Sequence, residues 1–295
     1  MCNVCGCGEG ATTIEGHSHS HTHESNHHHP HSHDHDHHSH SHGESDLHFG
    51  SGAAKVHVAG LTQTEIVRIE RNILSKNDEY AEKNKQFLIS KGVLTLNLVS
   101  SPGSGKTTLL TSTIKALIED TSISVIEGDQ ETANDAERIR ESGAAAVQIN
   151  TGRGCHLDAH MVGHAFGNLP LESGGVLFIE NVGNLVCPAS FDLGEDHKVA
   201  ILSITEGEDK PIKYPDMFAV SDLMILNKID LLPYLDFDVE RCIEYAKRVN
   251  PNIEIIKLSA TTGEGLDQWI DWVHQRRKIA EKTLDQTDTG LHTTA

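Results

Sequence analysis

The chain has 295 residues, which is long enough for one α/β domain of about 200 residues with additional segments. Its formal net charge of −19 argues against nucleic acids and anionic membranes as partners. No run of about 18 apolar residues predicts a membrane span. The first 54 residues contain no Lys, no Arg and no apolar segment, so no signal peptide is expected. We therefore predict a cytoplasmic protein whose six cysteines stay reduced and favour metals over disulfides.

Residues 1–54 are predicted to form a disordered, metal-binding tail. Cys2, Cys5 and Cys7 place three thiols within six residues, and with the α-amino group as a fourth donor they suit Zn²⁺ or Ni²⁺. An oxidation-prone end without a defined ligand is the alternative. Residues 16–48 carry 15 of the 22 histidines. Such a tract offers capacity for divalent metals rather than selectivity, and its mixed composition argues against a cloning tag.

Residues 55–91 are predicted to form a separate N-terminal helical segment. Ile66, Ile69 and Ile73 recur at helical spacing. Thr62 followed by Glu65 fits a capping box at the start of this helix.

Residues 92–280 alternate between strand-like and helical runs, and residues 281–295 are predicted to be disordered. This alternation predicts an α/β fold with a mostly parallel sheet and helices on both faces, as in P-loop NTPases. Ligands of such sheets bind beyond the carboxyl ends of the strands. The predicted strands are residues 94–99, 123–127, 145–149, 176–179, 199–204, 223–226 and 253–258.

The segment 100–107, Ser-Ser-Pro-Gly-Ser-Gly-Lys-Thr, lies between a predicted strand and a predicted helix and is typical of a phosphate-binding P-loop. Ser100 replaces the first consensus glycine, which we interpret as a tolerated small residue. Lys106 is predicted to reach the β- and γ-phosphates, and Thr107 to offer its hydroxyl to Mg²⁺. The predicted nucleotide contacts here are Gly103, Ser104, Gly105, Lys106, Thr107 and Thr108.

Two carboxylates follow other predicted strands. Asp129 could hold Mg²⁺ or orient the attacking water, although a helix N-cap is an almost equal alternative. Glu180 occupies the Walker B position, where Asp is usual, and is predicted as a second Mg²⁺ ligand. Gly183 could donate its N–H to the γ-phosphate and sense its presence.

The sequence Asn227-Lys228-Ile229-Asp230 follows another predicted strand and is typical of guanine recognition. A carboxylate at Asp230 can accept from the N1–H and 2-amino groups of guanine, whereas adenine lacks both donors. Ser259 and Ala260 fit a backbone contact to guanine O6. Together these residues predict GTP rather than ATP.

A second metal site is predicted at Cys155, His156 and Cys187, because both segments leave neighbouring strand ends. Three donors are incomplete for a tetrahedral ion, and a symmetric partner could supply the fourth. A buried cysteine with a helix-capping histidine is the equally weighted alternative from spacing alone. His160 and His164 share a helix face with His156, where solvated polar residues are the favoured interpretation over additional ligands.

The motifs together resemble the hydrogenase nickel-incorporation GTPases of the HypB family, from residue 1 to about residue 275. The similarity rests on the Cys motif, the His tract and residues 100–107, 151–158, 179–188 and 227–230. It implies a nucleotide- and metal-dependent homodimer that works with other nickel-insertion accessory proteins. It also implies tight nickel binding by the N-terminal thiols and a weaker, nucleotide-sensitive Ni²⁺ or Zn²⁺ site at Cys155, His156 and Cys187.

The expected function is a slow, Mg²⁺-dependent GTPase that delivers Ni²⁺ to the large subunit of [NiFe]-hydrogenase. The alternatives are a nickel store with an incidental nucleotide domain, a metal-sensing regulatory GTPase, and a nickel-insertion GTPase for another enzyme such as urease. A urease-type relative would explain residues 100–260 but not the N-terminal thiols.

Overall fold

The computed structural model describes residues 58, 60–129, 134–152 and 154–291, and the predictions for the N-terminal thiols and the His tract lie outside them. The chain divides into two compact units, Met1–Arg68 and Ile69–Ala295. Within the first unit, the Thr62 amide donates to Glu65 Oε2 at 2.8 Å and the Glu65 amide donates to Thr62 Oγ1 at 3.3 Å. The predicted capping box is therefore confirmed.

A seven-stranded sheet with the order β3-β2-β4-β1-β5-β6-β7 forms the centre of the second unit. Every pairing within this sheet is parallel, in agreement with the predicted fold class. The strands are β1 (Leu94–Ser100), β2 (Ile123–Asp129), β3 (Ala145–Asn150), β4 (Val176–Glu180), β5 (His197–Ser203), β6 (Leu223–Asn227) and β7 (Glu254–Lys257).

Helices connect these strands, with short 3₁₀ turns at Phe166–Asn168, Cys187–Ser190 and Ile229–Tyr234. The last helix continues to Leu291, through residues for which the sequence predicted disorder. The helices are α1 (Gln63–Ile89), α2 (Lys106–Leu117), α3 (Asn134–Glu141), α4 (Ala159–Ala165), α5 (Lys210–Lys213), α6 (Pro215–Ala219), α7 (Val239–Val249) and α8 (Leu266–Leu291).

Alternate residues of each strand pack on opposite faces of the sheet, because side chains alternate along a strand. On β4, Phe178 packs in one cluster with Leu110 of α2 and Trp269 of α8. Ile179 packs in a separate cluster with Val162 of α4. The sheet is thus covered by helices on both faces, and its strands are continuous apolar runs for that reason.

The connections reverse direction at β1, which lies between β4 and β5 in the sheet. In an open parallel sheet, this reversal separates the loops at the carboxyl ends of the flanking strands and opens a crevice between them. The loops after β1 and β4 border that crevice. The topology therefore places the P-loop and the Walker B segment side by side. Among the described residues, no helix is both long enough and apolar enough to cross a membrane.

We expect Leu110→Ala to reduce the free energy of unfolding by about 2–5 kcal/mol, because Leu110 is 1% exposed and its removal leaves a cavity between α2 and the sheet. Ile279→Ala, at a side chain that is 55% exposed, is the control and should change it by less than about 0.5 kcal/mol. Denaturant unfolding of both variants measures the difference. A loss below about 1 kcal/mol for Leu110→Ala would contradict this packing.

Candidate nucleotide and metal sites

The loop between β1 and α2 has the backbone conformation of an anion-binding turn. Gly103 and Gly105 have φ values of 76° and 95°, which favour glycine. A Cβ atom on Gly105 would also lie 2.6 Å from Asn227 Nδ2. Glycine is therefore required at this position both by the backbone and by the side chain that packs against it.

Lys106, the first residue of α2, is held by the serine that replaces the consensus glycine. Ser100 is fully buried, its hydroxyl accepts from Lys106 Nζ at 2.9 Å, and it donates to the Ser101 carbonyl at 2.7 Å. Burial lowers the pKa of Lys106, and the nearby Glu180 carboxylate opposes that effect. Ser100 is thus a partner of the phosphate-binding lysine as well as a small residue.

The hydroxyl of Thr107 meets the end of β4. It donates to Glu180 Oε1 at 2.7 Å. Glu180 is 4% exposed, and burial raises its pKa. Gly183 lies close to the P-loop, since a Cβ there would be 3.2 Å from backbone atoms of Pro102. The Walker B segment is therefore in direct contact with both ends of the P-loop.

These residues line a cleft of about 730 Å³. Of the predicted residues, the cleft contains the P-loop set from Gly103 to Thr108, Asp129, Glu180, Gly183, Lys228 and Cys155. It also contains Glu127, Asp135 and Arg138, which the sequence analysis did not select. The available signal for Glu127 was its place as a carboxylate at the end of a predicted apolar strand. The segment 134–141, which contains Asp135 and Arg138, offered no comparable signal.

The donor set of the cleft fits Mg²⁺. Oε2 of Glu127 and Oε2 of Glu180 are buried and have no hydrogen-bond partner within the described residues. Buried polar atoms without a partner are rare and often mark the place of an ion. Together with the Thr107 hydroxyl, these carboxylate oxygens are the hard donors that Mg²⁺ prefers.

The predicted guanine segment is hydrogen-bonded to the P-loop. Asn227 Nδ2 donates to the Ser104 carbonyl at 2.9 Å, and Asn227 Oδ1 accepts from the amides of Lys228 at 2.7 Å and Ala260 at 3.1 Å. Lys228 Nζ donates to the Gly103 carbonyl at 2.6 Å. Asp230 is the second residue of the 3₁₀ turn that follows Lys228 and is partly exposed. The structure thus brings this segment, Ala260 and the P-loop together.

Cys155, His156 and Cys187 meet on the same side of the sheet. Cys155 Sγ lies 2.8 Å from Cys187 Sγ and 3.7 Å from His156 Nδ1, and one ligand atom from each residue lies within 4.8 Å of the others. Neither cysteine forms a disulfide, and burial lowers the pKa of His156, which favours the neutral imidazole that binds metals. Thiolates with imidazole suit Zn²⁺ or Ni²⁺.

His160 and His164 lie outside this cluster. Their Nε2 atoms are 3.1 Å apart on the exposed surface of α4, and the His160 ring contacts the edge of Tyr80. This exposed placement agrees with the prediction of solvated polar residues.

Asn181 connects the nucleotide cleft to the metal cluster. It follows Glu180 directly and is 1% exposed. Its Oδ1 accepts from the Leu157 amide at 3.2 Å, just beyond Cys155-His156, and from the Val182 amide at 3.0 Å. Its Nδ2 donates to Asn97 Oδ1 at 3.2 Å. The cysteine loop after β3 is thus tied to the end of β4.

The same network continues from Asn97 to the segment that carries the other thiol. Asn97 Nδ2 donates to Glu195 Oε1 at 2.9 Å, and Lys198 Nζ lies 3.5 Å from that oxygen. Lys198 Nζ donates to the Pro188 carbonyl at 2.9 Å, one residue beyond Cys187. The segments that carry Cys155 and Cys187 are therefore both held by one buried polar network.

The site agrees with comparisons to known proteins. Residues 94–257 match the family model described as "CobW/HypB/UreG, nucleotide-binding domain". The chain is 61% identical over 281 residues to the hydrogenase maturation factor HypB of Azotobacter vinelandii, covering 94% of this chain and 93% of that protein. The chain belongs to the HypB family of hydrogenase maturation factors.

Two further relatives support this assignment. HypB of Escherichia coli strain K12 is 54% identical over 288 residues, covering 94% of this chain and 99% of that protein. The crystal structure of HypB from Helicobacter pylori in complex with nickel is 39% identical, has a TM-score of 0.66 and covers 69% of this chain and 95% of that chain. The HypB nucleotide-binding fold and the P-loop site described above are therefore those of a GTPase family associated with nickel.

We expect Asn181→Ala to reduce the free energy of unfolding by about 1–3 kcal/mol, because it removes the acceptor of the buried Leu157 amide and the donor to Asn97 Oδ1. Asn150→Ala is the control, since Asn150 is exposed and its side chain accepts from the nearby Gly152 amide. Denaturant unfolding measures the free energy of unfolding of both variants. Equal stability of the two variants would show that the Asn181 network is dispensable.

We expect Glu127→Gln to stabilise the nucleotide-free, chelator-treated protein at pH 8 by about 3 °C or more in Tm. Burial, together with Glu180, raises the pKa of Glu127 from 4.5 to about 8. The folded wild type thus binds an extra proton between these pH values and loses stability as the pH rises through them. The gain should disappear near pH 4.5, and the exposed Glu137→Gln control should show no such trend. Calorimetry from pH 4.5 to 8 measures the Tm of the wild type and both variants. A Tm difference between Glu127→Gln and the wild type that does not change with pH would contradict the prediction.

Proposed function

We propose that this chain is a nickel metallochaperone that hydrolyses GTP to GDP and phosphate to drive insertion of Ni²⁺ into the large subunit of [NiFe]-hydrogenase. The observation that carries the proposal is the buried Asn181 network, which joins the nucleotide cleft to the cluster of Cys155, His156 and Cys187. A nickel store or a simple GTPase would not need these two sites to share one set of hydrogen bonds.

Residues of the P-loop and the guanine segment position GTP for water attack on its γ-phosphate. The amides between Gly103 and Lys106 face the phosphates, and the Lys106 ammonium stabilises the charge that develops on the transferring group. Mg²⁺, held by Thr107, Glu180 and Asp129, supplies further charge neutralisation when it is bound. Slow turnover follows if none of the cleft residues acts as a general base for the attacking water.

Nickel is the cargo in this proposal, carried by thiolates and imidazole. Cys155, His156 and Cys187 supply three donors, and a second copy of the chain in a nucleotide-dependent homodimer supplies the fourth. Cys2, Cys5 and Cys7 form a tighter nickel or zinc site that exchanges metal with the first. Other nickel-insertion accessory proteins are the expected partners, as the membership of the HypB family suggests.

The two sites influence each other in both directions. If GTP binding moves Glu180 and Asn181, the spacing of the thiols changes and with it the affinity for Ni²⁺. By linkage, Ni²⁺ must change the affinity for GTP by the same factor. This reciprocity distinguishes a delivery protein from a passive store.

We expect Asp230→Asn to weaken GTP binding by about 100-fold or more, because guanine then loses a charged acceptor for two N–H groups. The same variant should gain affinity for xanthosine triphosphate, whose C2 carbonyl can accept from the new amide. Glu240→Gln is a control on the exposed surface of α7. Competition binding with fluorescent GDP measures the nucleotide affinities of the wild type and of both variants. Unchanged GTP affinity in Asp230→Asn would contradict the assignment of this residue to guanine.

The function is tested by measuring [NiFe]-hydrogenase activity in a host that lacks this gene, complemented with Lys106→Ala at low and at excess nickel. We expect the variant to fail at low nickel, because GTP chemistry drives delivery, and to recover at excess nickel. Lys115→Ala changes an exposed lysine of the same helix and should complement fully. If Lys106→Ala restores activity at low nickel as well as the wild type does, the protein is a nickel store and not a GTP-driven chaperone.

A further inference from the structure

Glu127 lies on the face of the sheet that α2 covers. Along β2, Val125 packs in the cluster that contains α2, whereas Ile126 packs in the cluster on the opposite face. Alternation returns Glu127 to the α2 face. Gly128 faces the other way, since a Cβ there would lie 2.8 Å from the Leu157 side chain. Glu127 therefore points toward the P-loop side and not toward the cysteine loop.

The strand register sets Glu127 beside the Walker B carboxylate. Glu127 and Glu180 are Cα partners in the parallel pairing of β2 with β4. Partners in register on neighbouring strands share a face, and Glu180 on that face accepts the Thr107 hydroxyl at 2.7 Å. Two carboxylates thus stand side by side next to the hydroxyl that is expected to bind Mg²⁺.

One carboxylate oxygen of Glu127 is available to bind a cation. Glu127 is 3% exposed, and its Oε2 has no hydrogen-bond partner in the part of the chain that the structure describes. The Lys106 charge acts to lower the pKa of Glu127, but the Lys106 ammonium donates its hydrogen bond to Ser100. Buried carboxylate oxygens usually have a hydrogen-bond or ionic partner, so this oxygen is a candidate donor to a cation.

We propose that Glu127 is an additional ligand of the Mg²⁺ site, acting with Thr107, Glu180 and Asp129. The inference rests on the proposed function, in which the cleft binds Mg²⁺ with a guanine nucleotide. When bound, the ion would supply positive charge to the buried Glu127 and Glu180 carboxylates. It also gives Glu127 a role that the P-loop and Walker B motifs do not include.

The experiment is a calorimetric titration of Mg²⁺ into the full chain, chelator-treated and loaded with GDP or with a non-hydrolysable GTP analogue. We expect Glu127→Gln to bind Mg²⁺ about 10- to 100-fold more weakly than the wild type. Its affinity for GDP measured in chelator, without Mg²⁺, should not change. Glu127→Asp keeps the charge on a shorter side chain, and its Mg²⁺ affinity should lie between the two. Glu137→Gln, an exposed glutamate on α3, makes the same charge change outside the cleft and should bind Mg²⁺ like the wild type.

Each contrary result has a distinct meaning. Wild-type Mg²⁺ affinity in Glu127→Gln overturns the inference, even if GTP turnover falls. Loss of GDP binding in chelator by both Glu127 variants also overturns it, because the side chain then supports the pocket and not the ion. If the wild-type complex itself shows no Mg²⁺ binding, the proposed Mg²⁺-dependent function fails with it. If Glu127→Gln lowers the Mg²⁺ affinity while Lys106→Ala restores hydrogenase activity at low nickel, the ligand assignment stands and the proposed function fails.

Discussion

The side-chain amide of Asn181 is the constraint on which the relation between the two sites depends. It is buried directly after the last residue of β4, and it serves the amide of Leu157 and the carboxamide of Asn97 at once. Water cannot replace these bonds in the interior, so breaking one costs about 1–3 kcal/mol. A displacement of Glu180 therefore either moves the Cys155-His156 segment with it or loses a buried hydrogen bond.

The electrostatics of the cleft separate two tasks that a nucleotide site must perform. Backbone amides and Lys106 provide positive potential for phosphates, while the buried carboxylates of Glu127 and Glu180 provide negative potential for a cation. Burial raises the pKa of both carboxylates, and the neighbouring Glu180 raises that of Glu127 further. A divalent cation resolves this conflict, and the cleft is therefore suited to a metal–nucleotide complex more than to a free nucleotide.

A second set of bonds ties the segment predicted to recognise guanine to the P-loop. Asn227 holds the Ser104 carbonyl, and Lys228 holds the Gly103 carbonyl from a left-handed backbone conformation at φ 66°. Because Gly105 packs directly against the Asn227 amide, even a methyl group would separate the two segments. The guanine segment thus cannot shift without disturbing the P-loop. The thiol cluster, in contrast, depends on side-chain bonds between loops, which are easier to rearrange.

The sequence by itself determined the parallel sheet, its seven strands and the motifs at their carboxyl ends, because hydrophobic periodicity and short-range spacing are local properties. The same reasoning placed Cys155, His156 and Cys187 on neighbouring loops. It gave equal weight to a shared metal site and to a buried cysteine with a helix-capping histidine. Only the tertiary structure decided that these three meet, that Ser100 holds Lys106, and that Glu127 stands beside Glu180. It also decided that Asn181 links the two sites. These facts depend on the order and register of strands far apart in the chain, and no local pattern of residues carries that information.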